Sequence, residues 1–335
     1  MSLARKWIHL ALMPISLAAL MVCLSLSANA ASRAAGLQVE LEALAKRARP
    51  GIFAIEVLDT KSGESWGVND DRQQPMMSVF KVPVAAAVLA MVDKGEISLD
   101  QSVSITRTDL RGGASRIAKT FKGDSMSFTV GQLLEGMVSF SDNTAADRLI
   151  ALLGGPQAVT QFLRSKNIEG MRVDLDEGGV EHVFSGLGSA HQPPAGETAK
   201  ARQARLMKGV RDFLGDPRNR STPKAAVELL RKLWEGKLLS PDSTKRLLAL
   251  MYGQTEPVRL RAGLPEGVRL ADKTGSSVTR GGVTAAFNDI GILTWPNGHT
   301  VIVAAFLSGS HASRTERTKL FADLARTVAA RIPSR

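Results

Sequence analysis

The pattern of hydrophobic and polar residues divides the chain into three regions. Leucines at a helical spacing mark residues 37–47, and the apolar runs "GIFAIEVLDT" and "SWGVND" then flank the turn signal "KSGE", which predicts a β-hairpin. The middle of the chain is mostly helical, with apolar runs of helical period after Ser78, Thr129, Asn143, Ala225 and Thr244. Near the C-terminus "VRLADKTGSS", "AAFNDIGILTW" and "TVIVAAFLSG" have strand character, and an amphipathic helix follows them.

Strands at both ends with helices between them predict an α+β fold. We expect one antiparallel sheet built from both chain ends, in an α/β part over residues 31–70 and 255–335. An all-helical part over residues 71–254 would be inserted between them, with a crevice where the two parts meet.

The segment 182–220 is too long for an ordinary connection and is rich in glycine, proline, arginine and lysine. Its apolar residues are helically spaced at Leu206, Met207, Val210, Phe213 and Leu214. The pattern predicts a long loop that carries a basic helix of its own.

The N-terminus has the pattern of a secretory signal peptide. Arg5 and Lys6 precede an apolar run, and "SANA" ends it with small residues, so we expect residues 1–30 to be removed. An uncleaved membrane anchor is the alternative, since about 20 apolar residues can span a bilayer. Pro14 and the small residues favour cleavage, and a periplasmic or secreted monomer is expected.

Composition excludes several kinds of site. The single cysteine, Cys23, lies in the expected signal peptide, so the mature chain would have no disulfide and no thiolate. The four histidines of the mature chain lack metal-ligand spacing, and no metal or cofactor is expected. The net charge of +11 suits solubility and an anionic envelope better than nucleic acid, because aromatic residues do not interleave the basic ones.

Ser78 and Lys81 lie three residues apart in the apolar stretch "PMMSVFKVPVAAAVLAMV". Such a pair is common by chance, and a serine at a helix start can simply cap the helix. At the first turn of a buried helix, however, the Ser78 hydroxyl would lie near free N–H groups, with Lys81 on the same face. Burial favours a neutral amine, so Lys81 is a candidate base for Ser78.

Two further triplets support this interpretation. "SDN" at Ser141–Asn143 precedes a helix, and "KTG" at Lys273–Gly275 lies in a strand. In this order the three motifs resemble those of class A β-lactamases and penicillin-binding proteins. The flanking "SDNTAADRL", "GGP" and "KTGSS" also resemble class A, and the resemblance covers nearly all of the mature chain. It implies a β-lactamase/transpeptidase-like fold and small-molecule β-lactam substrates.

The resemblance also implies roles for individual residues. Ser78 would be the nucleophile, Lys81 would help to remove its proton, and Ser141 would protonate the departing nitrogen. Backbone N–H groups of Ser78 and Ser276 would form the oxyanion hole. The implied substrate-binding residues are Asn143, Lys273, Thr274, Ser276 and Arg259.

Spacing within the family implies that Glu177 activates the deacylating water from an Ω-loop region over residues 172–222. The matching positions read E-G-G-V-E, so Glu181 stands where the family usually has asparagine. Glu177 as an ordinary member of an acidic patch, or Glu181 as the base, are the alternatives. The family's Arg–Asp salt bridge would fall near Leu175 and Asn219, so an enlarged and differently braced loop is expected.

Related enzyme classes share some of these motifs. A D,D-peptidase or penicillin-binding protein, or a non-hydrolytic β-lactam sensor, would acylate at Ser78 but deacylate slowly. Glu177 at the family spacing favours the hydrolase. The signatures of classes C and D need a tyrosine motif, and the only tyrosine, Tyr252, lies in "YGQ".

Overall fold

The computed structural model describes residues 36–254 and 258–332. The expected signal peptide, residues 1–30, lies outside these ranges. No helix in the described ranges is long and apolar enough to cross a membrane.

One antiparallel sheet is formed from strands at both ends of the chain, as the predicted fold class requires. Its order is β2-β1-β10-β9-β7, and the short β8 pairs with β9. The strands are β1 Ile52–Asp59, β2 Ser65–Val68, β7 Arg269–Ser276, β8 Thr279–Arg280, β9 Val283–Thr294 and β10 Thr300–Ser310. The residue limits of the two expected parts stay a prediction.

The sheet is buried on both faces, which explains the continuous apolar run of β10. Alternate residues of β10 point to opposite faces. Val301 and Val303 pack with helices α1 (36–47) and α11 (Arg314–Arg331), whereas Ile302 and Ala304 pack against the helical part.

The helical part is built around α2 (Lys81–Asp93), whose first nine residues are all buried. A helix that is apolar on every side belongs in a core. The other described helices of this part are α3 Arg116–Thr120, α4 Val130–Ser139, α5 Asn143–Leu152, α6 Pro156–Ser165, α7 Glu177–Ser185, α8 Ala199–Gly215, α9 Pro223–Trp234 and α10 Pro241–Tyr252. Two small two-stranded sheets complete it, β3 Gln74–Pro75 with β6 Arg220–Ser221, and β4 Ser102–Thr106 with β5 Ser125–Thr129.

Segment 182–220 carries the basic helix that its periodicity predicts, α8. Buried Val210 and Phe213 of α8 pack against Val180 and Phe184 of α7, and the rings of Phe184 and Phe213 stack at 4.2 Å. Helix α7 itself was not predicted, because two glycines and two glutamates interrupt its apolar pattern. The long insertion is therefore a second helix behind α7.

Candidate active site

Ser78 lies in a 3-10 turn, Met77–Phe80, that runs directly into α2 at Lys81. The capping positions of the two helices are Met76 and Phe80, so Ser78 does not act as a cap. Met77 has a positive φ of 46°, which is uncommon for a residue other than glycine. Such backbone strain is found most often at functional sites.

The Lys81 side chain is fully buried and is bound from three sides. Its Nζ donates to Ser141 O at 2.7 Å and to Asn143 Oδ1 at 2.7 Å, and it lies 2.8 Å from Glu177 Oε1. These partners come from two separate stretches of the chain, the "SDN" triplet and the segment of Glu177. The structure thus brings "SDN", Lys81 and Glu177 together, as the motif analysis predicts.

The "SDN" triplet forms the start of α5. Asp142 is the N-cap of α5 and accepts from the backbone N–H of Ala145 at 2.9 Å. Ser141 has a positive φ of 59°, and this turn directs its hydroxyl toward both lysines. The Ser141 Oγ lies 3.4 Å from Lys81 Nζ and 3.2 Å from Lys273 Nζ.

Strand β7 carries "KTG" past the Ser78 turn at close range. A Cβ on Gly275 would lie 2.5 Å from Met76 O and 3.2 Å from Ser78 N, so only glycine fits there. Thr274 is buried, and its hydroxyl accepts from Gln254 Nε2 at 3.1 Å. The close approach places the backbone of β7 beside the Ser78 turn.

Lys273 is fully buried next to a second charge of the same sign. Burial, and after it the Lys81 charge, lower the pKa of Lys273 to about 7, although Asp272 opposes the shift. Behind β7, Asp272 pairs with Arg261 at 2.7 Å, and burial raises the pKa of Asp272 to about 6. Burial together with Asp272 raises the pKa of Asp289 well above its ordinary value.

Arg259 reaches the site from behind the sheet. It is 2% exposed, its Cζ lies 3.9 Å from the centre of the Phe287 ring, and its guanidinium donates to Ser276 Oγ and to Gly275 O. It therefore orients the Ser276 hydroxyl. Its predicted contact with a substrate carboxylate stays a prediction.

Glu177 is the first residue of α7 and is 7% exposed. Asp147 of α5 accepts from the backbone N–H of Glu177 at 2.6 Å and from that of Gly178 at 3.1 Å. The Arg111 guanidinium binds the same carboxylate. Burial, followed by the Asp176 charge, raises the pKa of Asp147 to about 6. The motif search missed Asp147, although its place four residues after Asn143 puts it on the same face of α5.

Asn219 forms neutral hydrogen bonds at the position where the class A resemblance would place an Arg–Asp salt bridge. Its Oδ1 accepts from the backbone N–H groups of Asp174 and Leu175 at 2.7 and 2.9 Å, and its Nδ2 donates to Leu175 O at 2.9 Å. Its own carbonyl accepts from Met76 N at 3.1 Å. Asn219 thus joins the stretch before Glu177 to the stretch before Ser78.

A cleft of about 410 Å³ is lined by four of the predicted site residues, and the others lie outside its lining. Ser78, Asn143, Glu177 and Ser276 all line it. Glu181 lies one helical turn beyond Glu177 and lines the same cleft. Within the described residues, no three His, Cys, Asp or Glu side chains are placed to hold a metal ion.

Comparisons with known proteins agree with this geometry. Residues 36–332 match the model of the family described as the β-lactamase enzyme family. The extended-spectrum β-lactamase PER-1 of Pseudomonas aeruginosa is 32% identical over 292 residues, 87% of this chain and 84% of that protein. β-Lactamase L2 of Stenotrophomonas maltophilia is 33% identical over 290 residues, 86% of this chain and 83% of that protein.

Solved structures give the same result. The crystal structure of a β-lactamase from Chitinophaga pinensis superposes with a TM-score of 0.76 at 30% identity, over 89% of this chain and 100% of that one. An ancestral class A β-lactamase of Gram-negative bacteria superposes with a TM-score of 0.71 at 35% identity, over 88% of this chain and 99% of that one.

Proposed function

Because this chain belongs to class A of the β-lactamase enzyme family, we propose that it hydrolyses the β-lactam amide bond of penicillins and cephalosporins through an acyl-enzyme on Ser78. The main support is the contact of 2.8 Å between Lys81 Nζ and Glu177 Oε1. The same Nζ donates a hydrogen bond to Asn143 Oδ1. The contact with Glu177 joins the candidate base for Ser78 to a second acid–base group, which lines the cleft.

Acylation would begin with attack of Ser78 Oγ on the lactam carbonyl carbon. The Lys81–Glu177 pair would take up the serine proton, since the two groups are in direct contact at 2.8 Å. The oxyanion would be bound by the N–H groups of Ser78 and Ser276, and loss of one such donor costs about 10²–10³ in rate. Ser141 would pass a proton to the leaving nitrogen, with Lys81 and Lys273 holding its hydroxyl.

Substrate binding would use the charge of Lys273, which is fully buried. Lys273, Thr274 and Ser276 would contact the substrate carboxylate, which needs cationic and hydroxyl donors. Arg259 would hold the Ser276 hydroxyl in position for this contact.

Deacylation would use a water molecule between Glu177 and the acyl carbonyl. The Glu177 carboxylate would take the water proton as the oxygen attacks, and the proton would return to Ser78 as the ester breaks. Asp147 accepts a hydrogen bond from the backbone N–H of Glu177, and Asn219 accepts one from that of Asp174. These bonds support this role, since they hold the backbone that carries the Glu177 carboxylate.

Turnover of a chromogenic cephalosporin by the purified mature protein tests the proposal. We expect many turnovers per molecule and none from Ser78→Ala. A single stoichiometric burst without a steady state would instead favour the D,D-peptidase or the non-hydrolytic sensor.

We further propose that the protein acts in the periplasm or outside the cell after residues 1–30 are removed. The pattern of Arg5, Lys6 and "SANA" supports this proposal. Intact mass of the exported protein should place the N-terminus at Ala31, and a full-length mass in the membrane fraction would favour an anchor.

A further inference from the structure

A second groove, of about 500 Å³, adjoins the catalytic cleft on its outer side. It lies between α8 and the turn that joins β8 to β9. The half-buried side chains of Leu206 and Met207 form its apolar floor, and Arg202 lies on its rim. Arg280 lines both this outer groove and the catalytic cleft, so the two spaces meet at this residue.

Helix α7 leads from the reaction centre to Arg280. Glu177, Val180, Glu181 and Phe184 form the stripe of α7 that lines the cleft. The Arg280 Nη1 donates to the carbonyl of Phe184 at 2.8 Å. At a rise of ~1.5 Å per residue, Phe184 lies ~10 Å along the axis from Glu177. A substrate group that extends along α7 would therefore meet Arg280 at about that distance.

The outer groove has an excess of positive charge. Its carboxylate, Glu197, is neutralised by Arg205, whose Nε and Nη2 bind the two oxygens at 2.7 and 2.8 Å. Among residues 36–254 and 258–332, neither Arg202 nor Arg280 forms an ion pair with a carboxylate. The groove thus presents two cations above an apolar floor, which suits an aliphatic chain that ends in a carboxylate.

We propose that the outer groove is a subsite for β-lactam acyl side chains that end in a carboxylate. Arg280 and Arg202 bind the carboxylate, and Leu206 and Met207 contact the methylene groups that precede it. This subsite rests on the proposed function, because the same acyl side chain must leave the lactam at Ser78. It makes the inserted helix α8 part of the substrate-binding surface.

A matched pair of cephalosporins tests the subsite. The two compounds share the ring and the C3 group, and their adipoyl side chains end either in a free carboxylate or in its methyl ester. The quantity measured is the ratio of kcat/KM for the acid to kcat/KM for the ester, which cancels effects on the shared chemistry. We expect the acid to be preferred, and the preference to decline at high salt because the groove is open to solvent.

Arg202→Gln and Arg280→Gln should each lower this ratio about two- to fivefold, the size of a solvent-accessible ion pair. Arg211→Gln is the matched control, because Arg211 is an exposed cation on the same helix outside the groove, and its ratio should stay at the wild-type value. A wild-type ratio near one, or a ratio that neither groove variant changes, would overturn the subsite.

If the proposed hydrolase function is wrong, the wild-type protein will hydrolyse neither compound. Calorimetric binding of the pair to Ser78→Ala then still decides the subsite: tighter binding of the acid, lost in Arg202→Gln, supports it, and equal affinities overturn it.

Discussion

The Asp147 carboxylate accepts the backbone N–H of Glu177 at 2.6 Å. Asn143, one turn earlier on α5, binds Lys81 Nζ at 2.7 Å. Residues four apart share one face of a helix, so a single turn of α5 holds both the lysine and the start of α7. The separation of Lys81 and Glu177 therefore depends on α5 and not only on their own contact.

The value of kcat should decrease at acidic pH, because Asp147 gains a proton there. Burial and Asp176 raise the pKa of Asp147 to about 6, so the carboxylate gains a proton as the pH falls through about 6. The anion that binds the start of α7 is then lost, and kcat should fall where deacylation limits the rate. Asp147→Asn, neutral at every pH, should lower kcat at pH 7 about tenfold and should lack the step near pH 6.

Asp109→Asn is the matched control for this experiment. Asp109 pairs with Arg148 at 3.1 Å in the loop that also carries Arg111, but the described contacts do not join it to α7. Burial acts to raise the pKa of Asp109, but hydrogen bonds from Thr106 and the charges of Arg148 and Arg111 outweigh it and lower the pKa. Asp109 therefore stays ionised near pH 6. An acidic step that survives unchanged in Asp147→Asn would contradict the assignment.

Asn219→Ala should weaken both the fold and deacylation. Removing the side chain leaves the N–H groups of Asp174 and Leu175 without their acceptor in a site where Asn219 is 1% exposed. Each buried polar group without a partner costs about 1–3 kcal/mol, so we expect a loss of roughly 2–3 kcal/mol in the free energy of unfolding. Urea denaturation measures this loss, and kcat should decrease in the same variant.

Asn69→Ala provides the comparison. Asn69 has a positive φ of 52°, close to the 50° of Asn219. Its Nδ2 donates one hydrogen bond to Phe53 O, but the residue is exposed and no described hydrogen bond joins its side chain to the Glu177 segment. Its loss should cost less than 1 kcal/mol or so and leave kcat unchanged. Equal effects of the two substitutions would mean that Asn219 has no special role in positioning Glu177.

The value of kcat/KM should decrease at alkaline pH, because Lys273 loses its charge there. Burial and the Lys81 charge lower its pKa to about 7, so the free protein loses the Lys273 charge as the pH rises through about 7. Binding of an anionic substrate then weakens, and kcat/KM should decline above pH 7. In Lys273→Arg the guanidinium stays charged, so the decline should move to higher pH. The same midpoint in both proteins, measured from pH 6 to 9, would assign the decline to another group.

The sequence predicts the sheet well because its strands are long and flanked by turn signals. Strands β9 and β10 are mostly apolar runs on either side of "PNGH", and α2 is apolar on every side. Helix α7 was missed, because its stability depends on the Asp176 cap and on the stacking of Phe184 with Phe213. Contacts with α8, which lies further along the chain, do not produce a helical spacing of apolar residues within the α7 segment itself.

The motifs predict which residues meet at Lys81, but not what supports them. Ser141, Asn143 and Glu177 converge on Lys81 as their spacing implies. Asp147 and Asn219 act through backbone N–H groups of another segment, and such bonds have no residue pattern to search for. The sequence shows that both partners of the family's Arg–Asp salt bridge are absent, but it does not show that the Asn219 amide takes their place.

The most direct test is the intact mass of the protein after exposure to benzylpenicillin. Glu177→Gln should accumulate a penicilloyl adduct on Ser78, because acylation continues while the water lacks its base, and wild type should show none at steady state. Glu181→Gln is the matched control, one helical turn away in the same cleft, and should remain free of adduct. Accumulation in Glu181→Gln but not in Glu177→Gln would contradict the central claim that Glu177 drives deacylation.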